Sequence, residues 1–265
     1  MDSENASPSK DLDYQSEDQM IDSTPDYSRE ELIYLAKLCE RSERYEDAVG
    51  YICDFVKIKP ILNSDERRCL SNCFKQHITN KRSSMRYFKE ILRKESKPKG
   101  NKVHLAYISE LIEKLEEEEN EIISVLQSLI DDFLLPNSKK PEAVVFYMCL
   151  KADFLRYKAE ISRGEEFEIV TYLAEQVYNE AYMLSEEELA ITSLVRLGVA
   201  LNFSLFYYEQ RGLVDEAIVI ARNSFDEAIK AVDDLEPDKA KDYILLVQIL
   251  KENSIFWQTE KNEEE

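Results

Sequence analysis

Residues 196–209 read RLGVALNFSLFYYE, a strongly apolar segment that only a few polar side chains interrupt. Asn202 and Glu209 are seven residues apart, which places both on the same face of an α-helix with its 3.6-residue repeat. An amide on an otherwise apolar face has hydrogen-bonding groups that need partners. The segment therefore predicts a largely buried helix that presents two polar side chains to a common site.

The composition of the whole chain favours helices throughout. The 265 residues are 44% hydrophobic and 33% charged, with only five Gly and seven Pro, which is typical of long helices rather than of a turn-rich β fold. Apolar spacing, capping residues and helix breakers predict an all-α fold of nine antiparallel helices. These span about 29–43, 46–58, 65–95, 101–134, 141–162, 165–184, 187–211, 214–233 and 238–258.

Both ends of the chain are expected to lie outside the single helical domain of 29–258. Residues 1–28 carry eight acidic residues against one lysine and have no apolar periodicity, which predicts a disordered acidic tail. Residues 259–265 are interpreted as a short acidic C-terminal tail. Ser28 and Glu31 form a capping-box pattern at the start of the first helix, and Ser64 is the predicted cap of the third.

The net charge of −20 and the pI near 4.7 argue against nucleic acid and anionic membranes as partners, because both carry dense negative charge. No apolar run approaches the roughly 20 residues needed to span a bilayer. The polar, acidic N-terminus does not resemble a signal or transit peptide. With an odd number of cysteines, five, the expected location is cytoplasmic, with the nucleus as a second candidate.

One stripe of the third predicted helix is cationic despite the acidic surroundings. On a helical wheel Lys75, Arg82 and Arg86 fall beside the apolar face, whereas Lys81 points elsewhere. One interpretation is a solvated flank whose cations pair with glutamates of neighbouring helices. The other is half of an anion-binding site.

The fifth and ninth helices favour the anion site. Arg156 and Tyr157 lie among large apolar residues, where a guanidinium requires an acceptor. In the ninth helix an apolar stripe contains an Asn one turn before the only Trp of the chain. A groove walled by helices 3, 5, 7 and 9 would have one cationic side and one apolar side with two amides. Such a groove suits a phosphorylated, extended peptide.

Several of these segments resemble the 14-3-3 family. Besides residues 196–209, the similar motifs are ERYED (43–47), DERRCLS (65–71), KRSSMR (81–86), FDEAI (225–229) and the Asn253 to Trp257 end of the ninth helix. The resemblance covers about 29–258. It implies a nine-helix cup with an amphipathic groove, a non-enzymatic adaptor that binds phosphoserine or phosphothreonine peptides of client proteins, and a homo- or heterodimer formed through helices 1 to 4.

The resemblance also assigns roles to individual residues. The phosphate-binding cluster corresponds to Lys75, Arg82, Arg156 and Tyr157, and the asparagines that bind the peptide backbone correspond to Asn202 and Asn253. Further peptide-binding positions are the supporting acid Glu209, Asp242, and the apolar wall of Leu201, Leu205, Leu246, Ile249 and Trp257.

Two departures from the family pattern change the expectations. A groove lysine seven residues before Arg156 is replaced by Cys149, which removes one positive charge. In the dimer surface Arg44 and Asp47 match family residues, but Lys114 and Glu110 stand where their partners would be, with reversed charges. We therefore expect an altered or weakened dimer interface.

Three other functions are less well supported by the sequence. A tetratricopeptide-like scaffold for unphosphorylated peptides would also be helical, but no repeat of about 34 residues is convincing. Cys69, Cys73 and His77 have helical spacing, yet no fourth ligand accompanies them in sequence, so no metal site is predicted. An enzyme is a distant third candidate, because no nucleophile elbow, P-loop or dinucleotide motif is present. No cofactor is expected.

Overall fold

A computed structural model describes residues 27–96, 101–234 and 237–264, and within these residues it contains nine α-helices and no strand. The all-α prediction is confirmed. The helices are α1 (Arg29–Arg41), α2 (Tyr45–Ile58), α3 (Ser64–Glu95), α4 (Lys102–Ser128), α5 (Pro141–Ile161), α6 (Glu165–Glu188), α7 (Leu194–Phe206), α8 (Val214–Ala228) and α9 (Pro237–Glu264). π-helical turns extend α4 over Leu129–Leu134 and α7 over Tyr207–Arg211, and a 3-10 turn extends α8 over Ile229–Asp234.

Local sequence signals explain several helix ends. The predicted capping box of Ser28 and Glu31 is present at α1. At α3 the capping box uses Asn63 and Glu66, so the prediction of Ser64 as the cap was wrong by one residue. Asn63 serves better because its side-chain oxygen accepts from the Glu66 N–H at 3.0 Å, while Ser64 becomes the first helical residue.

The junction between α6 and α7 differs from the sequence prediction, which placed it at 184–187. α6 continues to Glu188, and α7 begins only at Leu194. Ser193 caps α7 by accepting from the Arg196 N–H. The Arg196 guanidinium donates to the carbonyls of Glu186 and Leu189, so that this one side chain satisfies the exposed end of α6.

The ends of the domain also differ from expectation. α9 continues to Glu264, so the predicted acidic tail is helical over 259–264; Lys261 pairs with Asp215 at 2.7 Å beside α8. At the N-terminal end the Tyr27 ring packs edge-on against Tyr51 with centroids 6.0 Å apart. The remainder of the predicted disordered tail, residues 1–26, lies outside the described residues.

Each helix packs against the next, and α5 and α7 connect the apolar clusters. One cluster joins α1 to α5 around Phe55, Phe74 and Phe154, which are fully buried. Another joins α7, α8 and α9 around Tyr243 and Trp257. A third links α5, α6 and α7. Within the described residues, no helix combines the length and apolarity needed to cross a membrane.

Candidate functional site

The cations of α3 separate into two groups in the structure. Lys81 pairs with Glu118 of α4 at 2.5 Å, which agrees with its predicted orientation away from the site. Lys75 and Arg82 instead contact carboxylates of α5. Arg86, which lies on the same side in the helical wheel, is exposed. The helix therefore directs two cations, seven residues apart, towards α5.

Asp153 of α5 holds one end of the site together. It is only 1% exposed and accepts from Lys75 Nζ at 2.6 Å, from the Tyr178 hydroxyl at 2.6 Å and from Asn202 Nδ2 at 2.9 Å. Burial alone would lower the pKa of Lys75, but the Asp153 carboxylate raises it above its ordinary value. Lys75 thus stays charged, and α3, α5, α6 and α7 meet at one buried carboxylate.

The two arginines meet at the other end of the site. Arg82 Nη2 donates to both Glu160 oxygens at 2.5 and 2.6 Å. Arg156 Nη1 lies 3.6 Å from Glu160 and 3.8 Å from Glu209. Both guanidinium groups lie over the Tyr157 ring, at 4.0 Å for Arg82 and 4.7 Å for Arg156. Cation–π contacts of this kind stabilise charged groups away from bulk water.

Each arginine still has an unused donor. Among the described residues, the Nε of Arg82 and the Nε of Arg156 are buried without a hydrogen-bond partner. Burial opposes the charge on Arg156, but the neighbouring Tyr178 and Asp153 raise its pKa above the ordinary value. The site thus contains two charged guanidinium groups, and the forked donors of such groups suit an oxyanion ligand.

Cys149 lies beside this cluster, at a pocket of about 240 Å³. The pocket is also lined by Lys75, Asp153 and Asn202, and the Asn202 amide contacts the Cys149 sulfur at 3.7 Å. Burial holds the pKa of the Cys149 thiol well above its ordinary value, so that the thiol is neutral. The position adds no charge to the site.

The apolar side of the predicted groove comes from α7 and α9, whose side chains share one cluster. Leu205, Leu246 and Ile249 are partly exposed, as a wall requires, whereas Leu201 and Trp257 are almost fully buried. The Trp257 ring stacks on Tyr208 with centroids 4.9 Å apart. Leu201 and Trp257 thus support the wall from behind. Asn253 is partly exposed, and Asp242 is exposed on α9.

Comparison with known proteins identifies the family. A family model described as "14-3-3 protein" matches residues 35–258. The chain is 37% identical to 14-3-3 protein beta/alpha-B of Xenopus laevis over 237 residues, which are 89% of this chain and 96% of that protein. It is 35% identical to human 14-3-3 protein eta over 239 residues, 89% of this chain and 97% of that protein.

The chain belongs to the 14-3-3 family. The match confirms the resemblance that the sequence motifs indicated and covers every helix except the first turns of α1 and the end of α9. Within this 14-3-3 domain Arg82 and Arg156 share Glu160 and the Tyr157 ring. Lys75 reaches the same helix, α5, through Asp153.

Sequence reasoning considered pairing of the cations with glutamates of neighbouring helices but did not name the acidic residues that hold them. Asp153 and Glu160 lie three residues before and four residues after Arg156 on α5, and each pairs with a cation of α3. Tyr178 of α6, which donates to Asp153, was also missed. A sequence signal for the carboxylates existed, because residues three or four apart share a helix face. No signal in the sequence connects α6 to the site.

Proposed function

We propose that this 14-3-3 family member is a non-enzymatic adaptor that binds phosphoserine or phosphothreonine peptides of client proteins. The observation that carries the proposal is the arrangement of two guanidinium groups over the Tyr157 ring, with the Lys75 ammonium held by Asp153 on the same helix. A phosphate offers several acceptor oxygens and close to two negative charges. It matches the forked geometry of arginine.

The carboxylates that now hold the cations explain how the site stays ordered before a ligand arrives. Glu160 and Glu209 keep the two guanidinium groups in place at 2.5 to 3.8 Å. A phosphate would approach these guanidinium groups from the groove while Asp153 continues to anchor Lys75. A preformed cluster of this kind reduces the ordering cost of binding.

The peptide chain would lie along the groove beside the phosphate. Asn202 uses its amide nitrogen to donate to Asp153, which leaves its carbonyl oxygen for a peptide N–H. Asn253 of α9 would supply the second backbone contact. Leu205, Leu246 and Ile249 would contact the apolar side chains of the peptide.

Dimerisation through α1 to α4 belongs to the same proposal. Exposed apolar side chains occur on α1, α3 and α4, among them Tyr34, Leu38, Tyr87, Tyr107 and Leu111. Arg44 and Asp47 pair with each other at 2.6 Å, and Glu110 and Lys114 are exposed. The self-paired Arg44 and Asp47, with the reversed charges of α4, support an interface weaker than the family pattern. Light scattering that found a dimer at nanomolar concentration would contradict this part.

A cytoplasmic or nuclear location is also proposed. The five cysteines are free in the structure, and free thiols suit a reducing compartment. Fluorescence microscopy of the tagged chain tests the location, and a secreted product would contradict it.

Fluorescence polarisation tests the binding proposal directly. A labelled phosphoserine peptide should bind, and its unphosphorylated twin should not. Arg82→Glu and Arg156→Glu should each abolish binding, because each replaces a guanidinium that would donate hydrogen bonds to the phosphate with a carboxylate that repels it. Equal binding of the two peptides would refute the proposal and favour the alternative of a scaffold for unphosphorylated peptides.

A matched control separates the site from general charge effects. Arg163 is 74% exposed and pairs with Glu116 rather than with the cluster. Arg163→Glu changes the net charge by the same amount and should leave binding unchanged. A similar loss in all three variants would mean that bulk charge, not the cluster, controls binding.

A further inference from the structure

A second cluster of ligating side chains lies on the opposite side of α3 from the phosphate site. It consists of Glu40 of α1 with Cys69 and Cys73 of α3, and their ligand atoms all lie within 4.8 Å of one another. The two sulfurs are 3.9 Å apart, and Cys69 Sγ is 3.7 Å from Glu40 Oε2. Cys69 and Cys73 are almost completely buried, while Glu40 is partly exposed.

These distances match the edges of a tetrahedral metal site. Two sulfur ligands about 2.3 Å from a tetrahedral ion lie about 3.8 Å apart, and a sulfur and a carboxylate oxygen lie about 3.5 Å apart. Both observed distances agree with these values to within about 0.2 Å. The remaining edge, between Cys73 Sγ and the Glu40 carboxylate, is at most 4.8 Å long.

A neighbouring side chain already orients the carboxylate. Asn72 Nδ2 donates to Glu40 Oε1 at 3.1 Å, while the other oxygen, Oε2, faces Cys69. This division of roles is the one that outer-shell partners have in metal sites, where they fix the orientation of a ligand. The same contact places the free oxygen of Glu40 on the sulfur side.

The surroundings provide access and a fourth coordination position. Glu40, Cys69 and Asn72 line a pocket of about 670 Å³ between α1 and α3. Lys37, Arg41 and Arg68 line the same pocket, and their positive charges offset the negative charge of two thiolates and a carboxylate. Water entering this pocket would complete a four-coordinate site, as in zinc sites with three protein ligands.

We propose that Glu40, Cys69 and Cys73 bind a thiophilic divalent cation of the zinc class, with the fourth position open to the pocket, and that the ion joins α1 to α3. Two thiolates select zinc-like ions over magnesium or calcium, which prefer oxygen ligands. The sequence pattern of Cys69, Cys73 and His77 lacked enough ligands. In the structure the third ligand is Glu40 of α1, whereas His77 lies two turns from Cys69 on α3.

Titration with Co²⁺ tests this site in the full-length, reduced, metal-free protein. Co²⁺ bound to thiolates in a tetrahedral site should give a sulfur-to-cobalt charge-transfer band in the near ultraviolet and d–d bands in the visible range. Zn²⁺ should displace the cobalt and bleach both. Cys69→Ser and Cys73→Ser should each abolish the charge-transfer band or lower its intensity by about half. Where a band remains, the affinity for Co²⁺ should fall at least tenfold.

Two conservative variants and two controls make the result decisive. Asn72→Ala leaves all three ligands in place on an exposed position and should weaken Co²⁺ binding about tenfold by freeing Glu40. Glu40→Gln should weaken it at least as much. Cys53→Ser and Cys149→Ser remove thiols outside the cluster and should leave the spectrum unchanged. Absence of a charge-transfer band in the unmodified protein, or its persistence in the Cys69→Ser, Cys73→Ser double variant, would overturn the proposal.

Discussion

Replacing Cys149 by lysine tests how the phosphate site sets its affinity. In the structure three cations, Lys75, Arg82 and Arg156, are matched by the carboxylates of Asp153, Glu160 and Glu209. The neutral Cys149 thiol adds nothing to this balance. Under the proposed function a phosphate would bind through directed donors, because the site has no excess of local positive charge. Cys149→Lys would add one unit of charge beside it.

The size of the effect follows from Coulomb's law. Unit charges 4 Å apart in water attract by about 1 kcal/mol, and a phosphate carries close to two charges. An ammonium about 4–6 Å from the phosphate would therefore contribute about 1–2 kcal/mol, after some loss to pairing with Asp153. We expect a five- to thirtyfold gain in affinity for the phosphoserine peptide, at about 1.4 kcal/mol for each factor of ten.

The 240 Å³ pocket provides space for the longer side chain. Fluorescence polarisation at constant ionic strength measures the change, and Cys149→Gln is the matched variant because it fills the pocket without adding charge. Cys149→Gln should leave the affinity within about twofold of the original. An equal gain in both variants would mean that filling the pocket matters and charge does not. An unchanged affinity in Cys149→Lys would refute the electrostatic argument.

Three further predictions concern stability. Burial raises the pKa of Glu119 from 4.5 to about 7, and the Arg82 cation partly offsets this effect. Between these pH values the folded state holds a proton that the unfolded chain releases. The free energy of unfolding therefore falls as the pH rises from 4.5 to 7. Glu119→Gln should then stabilise by about 1–3 kcal/mol at pH 8 but not at pH 4.5 or below in urea unfolding; equal gains at both pH values would contradict this. Tyr178→Phe removes the hydroxyl that donates to Asp153 and should lower the free energy of unfolding by about 1–2 kcal/mol, whereas unchanged stability would show that this bond contributes nothing. Glu43 has a left-handed backbone with φ of 59°. Glu43→Gly should therefore raise the free energy of unfolding by about 0.5–1 kcal/mol, seen as a higher melting temperature, whereas Glu43→Ala should give no gain.

Local patterns were sufficient to predict the helices, but less so their ends. The Ser28 capping box and the breaks at Gly164 and Gly212 were readable because side chains and glycines close to one another determine them. The left-handed Glu43 ended α1 two residues early, and nothing in its residue type indicates such a conformation. The late start of α7 depends on Arg196 bonding to the carbonyls that end α6. Sequence periodicity carries no information about contacts between two helices.

The same distinction applies to the two sites on α3. Helical spacing indicated which cations of α3 share a side. The apolar surroundings of Arg156 and Tyr157 pointed to these two residues, and the motif resemblance then assigned their roles. Spacing could not show that Asp153 and Glu160 neutralise those cations, because this depends on how α3 and α5 approach each other. It could not find Glu40 either, since that ligand is 29 residues before Cys69 and on another helix.

The cations of the proposed phosphate cluster are balanced by carboxylates, so the cluster does not offset the negative charge of the rest of the chain. A chain of net charge −20 repels polyanions at long range, and the cluster has no excess positive charge to oppose that repulsion. What remains is short-range: two guanidinium groups over the Tyr157 ring and a lysine fixed by Asp153. Those groups would stabilise only a ligand that enters the groove and places an oxyanion within hydrogen-bonding distance. For the proposed adaptor we therefore expect selectivity for a single phosphate on an extended peptide, against nucleic acid or anionic membranes, from this combination of a repelling surface and a neutral, directed site.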